Sequence, residues 1–128
     1  MKFNCTMLYV NNVQHSMDFY KRAFGLKERY LHETGNYGEM EAGGAALAFV
    51  TREMLTEMGK TPLKADADNP SFEICFESTD VKKAFDKAID AGAKLSHKIK
   101  EEEWGQTTAY VTDPDGYLVC IGSPVEFS

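Results

Sequence analysis

The feature that most limits the fold of this chain is that its two halves carry the same succession of patterns. Val13, Met17, Tyr20 and Phe24 fall at i, i+4, i+7 and i+11, one apolar face at helical period. Val81, Phe85, Ala88 and Gly92 repeat that spacing, and Ile89 widens the face. Asn12 and Asp80 stand where N-caps belong, and Gly25 and Gly92 where helices stop. A strand-like stretch precedes each helix, Phe3 to Val10 and Ser71 to Glu77, and three follow it. These are Lys27 to Glu33, Tyr37 to Ala42 and Ala45 to Thr51 in the first half, and Lys94 to Ile99, Gln106 to Thr112 and Tyr117 to Gly122 in the second. Cys5 aligns with Glu73, Val13 with Val81 and Tyr37-Gly38 with Trp104-Gly105. Extra residues in the second half, assigned to the turn Asp113-Pro114-Asp115-Gly116, then bring Leu47-Ala48-Phe49 over Val119-Cys120-Ile121. Short amphipathic helices need a sheet to pack on. The pattern therefore predicts an α+β fold of two βαβββ repeats, residues 1–51 and 71–128. They would form one curved, mostly antiparallel sheet of eight strands around a concave pocket. Residues 52–70 hold Pro62, Pro70 and a polar run from Ala65 to Asn69. They read as a linker with a short helix over Glu53 to Met58, long enough to let the halves pair within one chain or between two.

Charge and cysteine content exclude several classes of partner. The chain has 14 basic and 20 acidic residues, a net charge of −6, with no basic run. Phosphate contacts dominate nucleic-acid affinity, so nucleic acid is not an expected partner, and neither is an anionic membrane surface. The opening Met1-Lys2-Phe3-Asn4 lacks the apolar core of a signal peptide, and no apolar run approaches membrane-spanning length. Three cysteines in no CxxC spacing read as free thiols in a reducing compartment, so the expected location is the cytoplasm.

Strand alternation sorts the side chains by face. Leu8, Val10, Leu47, Phe49, Ile74, Phe76, Val119 and Ile121 suit a helix-covered face. Opposite them stand Phe3, Cys5, Met7 and Tyr9, then Ala46, Ala48 and Val50, then Glu73, Cys75 and Glu77, then Leu118 and Cys120. Trp104, Gln106, Thr108 and Tyr110 share one parity and are placed on the same open face. The result is an apolar hollow edged with aromatic groups and holding a few polar ones, the usual character of a small-molecule pocket. The candidate ligand-binding residues are Trp104, Tyr110, Glu73, Cys5, Met7, Ala48, Thr108 and Cys120. Glu73 stands out because a carboxylate on an apolar strand face needs water, a partner or a ligand. His15, His32 and His97 are scattered without metal-ligand spacing, and Lys98 to Glu103 reads as a solvated loop.

Two stretches resemble a known group. Thr6-Met7-Leu8-Tyr9-Val10 with Ser16-Met17-Asp18-Phe19-Tyr20 and Phe24-Gly25-Leu26 is similar to the start of glyoxalase/bleomycin-resistance domains of the vicinal oxygen chelate superfamily. Trp104-Gly105-Gln106 through Asp113-Pro114-Asp115-Gly116-Tyr117 is similar to their C-terminal signature. The resemblance implies a homodimer. It also implies a divalent metal held from the first and last strands of each repeat, at positions that correspond here to Cys5, Ala48, Glu73 and Cys120. Alanine ligates nothing, and of the four only Glu73 is a usual ligand type, so no metal and no other cofactor is expected. The resemblance then implies a metal-independent protein that binds or sequesters a small molecule, aromatic or cationic, like the bleomycin-resistance branch, and it leaves enzyme activity open, with a glyoxalase-type lyase as the activity expected if there is one. The alternative it leaves open is a glyoxalase-like lyase or isomerase, or a dioxygenase, either metal-dependent or using Glu73 as catalytic general base.

Overall fold

The computed structural model describes residues 1–125. It divides into two compact units, Met1–Ala65 and a second that begins at Asp66. The first holds β1 (Cys5–Val10), α1 (Val13–Phe24), β2 (Lys27–Leu31), β3 (Tyr37–Ala42), β4 (Ala45–Thr51) and α2 (Arg52–Glu57). The second holds β5 (Glu73–Glu77), α3 (Val81–Asp90), β6 (Lys94–Glu101), β7 (Thr107–Thr112) and β8 (Leu118–Gly122). The βαβββ order is present twice, as the sequence pattern requires.

The strands form two four-stranded sheets, ordered β1-β4-β3-β2 and β5-β8-β7-β6, where a single eight-stranded sheet was expected. Within each repeat the last strand returns parallel beside the first, and the two remaining pairings are antiparallel. That return satisfies the inner hydrogen bonds of each repeat, so each closes a sheet of its own. The registers repeat as well. Met7 pairs with Ala48 and Cys75 with Cys120. Ala48 pairs in turn with Glu39, and Cys120 with Tyr110.

This last correspondence corrects the expected alignment of Tyr37 with Trp104. Glu39, on β3, holds the place that Tyr110 holds on β7, whereas Trp104 precedes β7 in the turn after β6. Most of the extra residues of the second half were taken up before β7, where β6 runs eight residues against five in β2. The same lengthening overturns the reading of Lys98 to Glu103 as a loop. Lys98 to Glu101 lie in β6, because an outer strand with exposed side chains tolerates charge along its length.

The caps explain where the helices begin. Asn12 accepts the His15 amide, Asp80 accepts the Lys83 amide and Thr51 accepts the Met54 amide, each satisfying an otherwise orphaned first-turn donor. Val13, Met17 and Tyr20 of α1 are buried, and the Tyr20 ring lies 5.5 Å from that of Phe49. The helix sits tightly on β3, since a Cβ on Gly38 would collide with the Met17 sulfur. Gly43 and Gly44, at φ 69° and 101°, supply the two left-handed residues that close the β3–β4 hairpin. In the second unit Val81 and Ala88 of α3 are buried, as are Ala109, Val111, Val119 and Ile121 of the sheet. No helix among the described residues is long and apolar enough to cross a membrane.

Candidate functional site

The second unit contains a hollow of about 710 Å³ on the sheet face that carries Glu73, Cys75, Thr108, Tyr110 and Cys120. Alternation explains this gathering. In β5, Ile74 and Phe76 are half-buried while Glu73, Cys75 and Glu77 are exposed on the other side. In β7, Ala109 and Val111 are fully buried away from the hollow, leaving Thr108 and Tyr110 to line it. Trp104 stands at the rim, 64% exposed, and its indole N–H donates to Gln106 Oε1 at 3.0 Å. Gln106 is held in turn by donating from Nε2 to the Ser123 carbonyl at 2.9 Å. Gly122 leaves room for this tether, since a Cβ there would lie 2.7 Å from Gln106 Nε2. Thr108 is satisfied by donating to Glu102 Oε1 at 2.9 Å. The His97 ring meets Tyr110 edge-on at 5.2 Å.

The base of the hollow is a connected polar cluster. The Tyr110 hydroxyl donates to the Cys120 sulfur, and Cys120 donates to Cys75. One donor atom from each of Glu73, Cys75 and Cys120 lies within 4.8 Å of the other two. Burial pushes the Cys120 thiol up to about 11, against the lowering effect of the Tyr110 hydrogen bond. Burial, followed by the charge of Glu73, raises Cys75. Burial and then the bond to Cys120 raise the Tyr110 phenol above its ordinary range. Cys75, Cys120 and Tyr110 therefore keep their protons at neutral pH.

Because the folded state holds the Cys120 proton more tightly than the unfolded chain does, this group favours folding below the ordinary thiol value of 9.0. The contribution is lost as pH rises from there through about 11. Alkylation of native Cys120 by iodoacetamide, followed by mass spectrometry, should still be accelerating at pH 10, where a free peptide thiol has levelled off. A rate that levels off near pH 9 would contradict the environment described.

The other residues singled out by the sequence lie in the first unit. Met7 is partly exposed on β1, beside Ala48, which is fully buried. Cys5 is half-buried on the same strand. Next to Ala48 the sequence reading missed Glu39, whose Oε2 accepts from the Tyr37 hydroxyl at 2.6 Å, with the Arg29 guanidinium 3.8 Å from its Oε1. Alternation with buried Met40 is the signal that could have found it. Cys75 was assigned to the open face but not to the candidate site, because its position opposite Cys120 depends on a pairing between distant strands.

A family model described as a glyoxalase-like domain matches residues 3–126. The chain belongs to this family. The glyoxalase-like chain is 30% identical over 125 residues to the uncharacterized protein YraH of Bacillus subtilis, covering 94% of this chain and 97% of that one. It is 29% identical over 127 residues to a lactoylglutathione lyase of Neisseria meningitidis, covering 93% and 88%. Its fold matches the crystal structure of a glyoxalase-related enzyme from Fulvimarina pelagi with a TM-score of 0.82 at 17% identity, covering 97% and 88%. The vicinal oxygen chelate assignment drawn from the sequence motifs holds. The four positions where that superfamily holds its metal do not fit the group here. Ala48 is buried and has no donor atom, and of the four only Glu73 carries a usual ligand for a hard divalent ion.

Proposed function

We propose that this glyoxalase-like domain binds a small, flat aromatic or cationic molecule in the hollow of its second unit, in the manner of the bleomycin-resistance branch. The observation that carries this reading is the convergence of an exposed indole, a tyrosine and a carboxylate on one 710 Å³ cavity. Trp104 and Tyr110 offer stacking surfaces, and Glu73 offers a charge to a cationic group. Binding of this kind does not call on the superfamily's four-ligand metal. In the same reading the chain works in the cytoplasm, which suits its three free cysteines. It also forms a homodimer, because each sheet ends on two edge strands that pairing or a covering surface would protect.

The test is calorimetric titration with planar aromatics, led by the cation 9-aminoacridine and its neutral relative acridine. One stacking or cation–π contact contributes roughly 0.5–2 kcal/mol, so Trp104→Ala should weaken binding about tenfold with the fold intact. Glu73→Gln should weaken 9-aminoacridine more than acridine, because it removes charge and keeps shape. Equal affinities in both variants and the parent would defeat the proposal.

A second reading is favoured by the lactoylglutathione lyase relative: a lyase in which Glu73 acts as general base. Formation or breakdown of lactoylglutathione by the purified protein, abolished in Glu73→Gln, would decide for it.

A further inference from the structure

We propose that Glu73, Cys75 and Cys120 form a binding site for a thiophilic cation such as Zn²⁺ or Cd²⁺, built wholly within the second repeat and open to the hollow. This goes beyond the binding of an organic ligand and does not depend on it. The site arises from register. Glu73 and Cys75 are two apart on β5 and therefore share a face. Cys120 is the register partner of Cys75 on the adjacent parallel strand β8, which sets the two sulfurs side by side. Two ligands on a tetrahedral zinc sit about 3.3–3.8 Å apart, given Zn–S near 2.3 Å and Zn–O near 2.0 Å. Donor atoms already within 4.8 Å of one another reach that spacing by small side-chain rotations.

The donor set selects the ion. Two thiolates and one carboxylate favour zinc, cadmium and copper(I), whereas magnesium and manganese want several oxygen ligands. Cys75 is not among the four positions of the superfamily's metal, and Cys5 and Ala48 take no part. The Tyr110 hydroxyl, already donating to Cys120, would keep that bond and orient the sulfur, as outer partners do at thiolate sites. On binding, Cys75 and Cys120 each release a proton to solvent as the sulfur bonds the cation. Glu73 and Cys75 are exposed, so the ion can enter from the hollow and keep a fourth position for water or a ligand.

The full chain, reduced with a phosphine and freed of metal, is titrated with Cd²⁺ and followed by the ultraviolet thiolate-to-metal charge-transfer band. One equivalent should bind with the band of two thiolates, and excess Mg²⁺ should not compete. Cys75→Ser and Cys120→Ser should each weaken binding more than roughly tenfold and halve the band, with Glu73→Gln weakening affinity but keeping the band. Cys5→Ser should retain both. Titration of the unmodified chain with Co²⁺ reads the same site without any variant, and should give tetrahedral visible bands with thiolate charge transfer. A folded, reduced chain with no thiolate band, a band that survives Cys75→Ser, or a band that needs Cys5 would each overturn the site. Binding of 9-aminoacridine in the presence of EDTA is a separate readout, so failure of one proposal leaves the other standing.

Discussion

Replacing Phe49 by alanine should destabilise the protein by about 3–5 kcal/mol, the usual cost of removing a buried aromatic side chain from a core. Phe49 is fully buried on β4, paired with Leu8 on one side and Gly38 on the other, with its ring 5.5 Å from Tyr20 of α1. No small neighbour can fill the space it would leave, because Leu8, Met17 and Tyr20 are themselves packed at 2% exposure or less. Domains of this size are stable by only about 5–15 kcal/mol, so the loss is a large share of the total. Urea unfolding followed by far-ultraviolet circular dichroism should show a much lower midpoint with an unchanged slope. Phe3→Ala, at an exposed position, should shift it little. Equal midpoints for Phe49→Ala and the parent would show that the ring is not in the core.

The second large effect is expected at Asp113, which is buried in the turn between β7 and β8. Its Oδ1 accepts the amides of both Asp115 and Tyr117 at 2.9 Å, while its own amide donates to the Tyr117 carbonyl at 2.9 Å. Asp113→Ala removes the acceptor and leaves two backbone N–H groups without it in a tight turn, at a cost of about 3 kcal/mol. Asp113→Asn keeps an oxygen in the same place, and both bonds go to one oxygen, so most of the stability should return. The pair of variants separates loss of the acceptor from loss of charge. Asparagine as damaging as alanine, measured by the same urea midpoints, would mean that charge and not the two bonds holds the turn. Because this turn feeds β8, which carries Cys120, Asp113→Ala should also slow recovery of the hollow's ligand binding on refolding.

Much of the second-unit hollow was legible in the sequence because strand alternation is a local property. Ile74 and Phe76 against Glu73, Cys75 and Glu77, or Ala109 and Val111 against Thr108 and Tyr110, assign their faces with no knowledge of the partner strand. The first-unit residues Cys5, Met7 and Ala48 were assigned to an open face by the same rule, but nothing local says what that face meets. Glu39 escaped notice because its strand is half glycine and acid, with Met40 the one strongly apolar marker.

What the sequence determined by itself were the two repeats, the two longer helices with their Asn12 and Asp80 caps, the short helix after β4, and the two faces of β1, β4, β5, β7 and β8. All rest on interactions within a few residues: hydrogen bonds from a cap, or a period of 3.6 or 2. Tertiary structure alone decided which strands pair and in what register. It closed two sheets of four, moved Trp104 off the position of Tyr37, turned Lys98 to Glu101 into an outer strand, and set Cys75 against Cys120. Register between β5 and β8 depends on hydrogen bonds between segments some forty residues apart, joined through a crossover helix and a hairpin whose lengths must agree. No window of local sequence contains that sum, so the paired thiols appear only once the chain is folded.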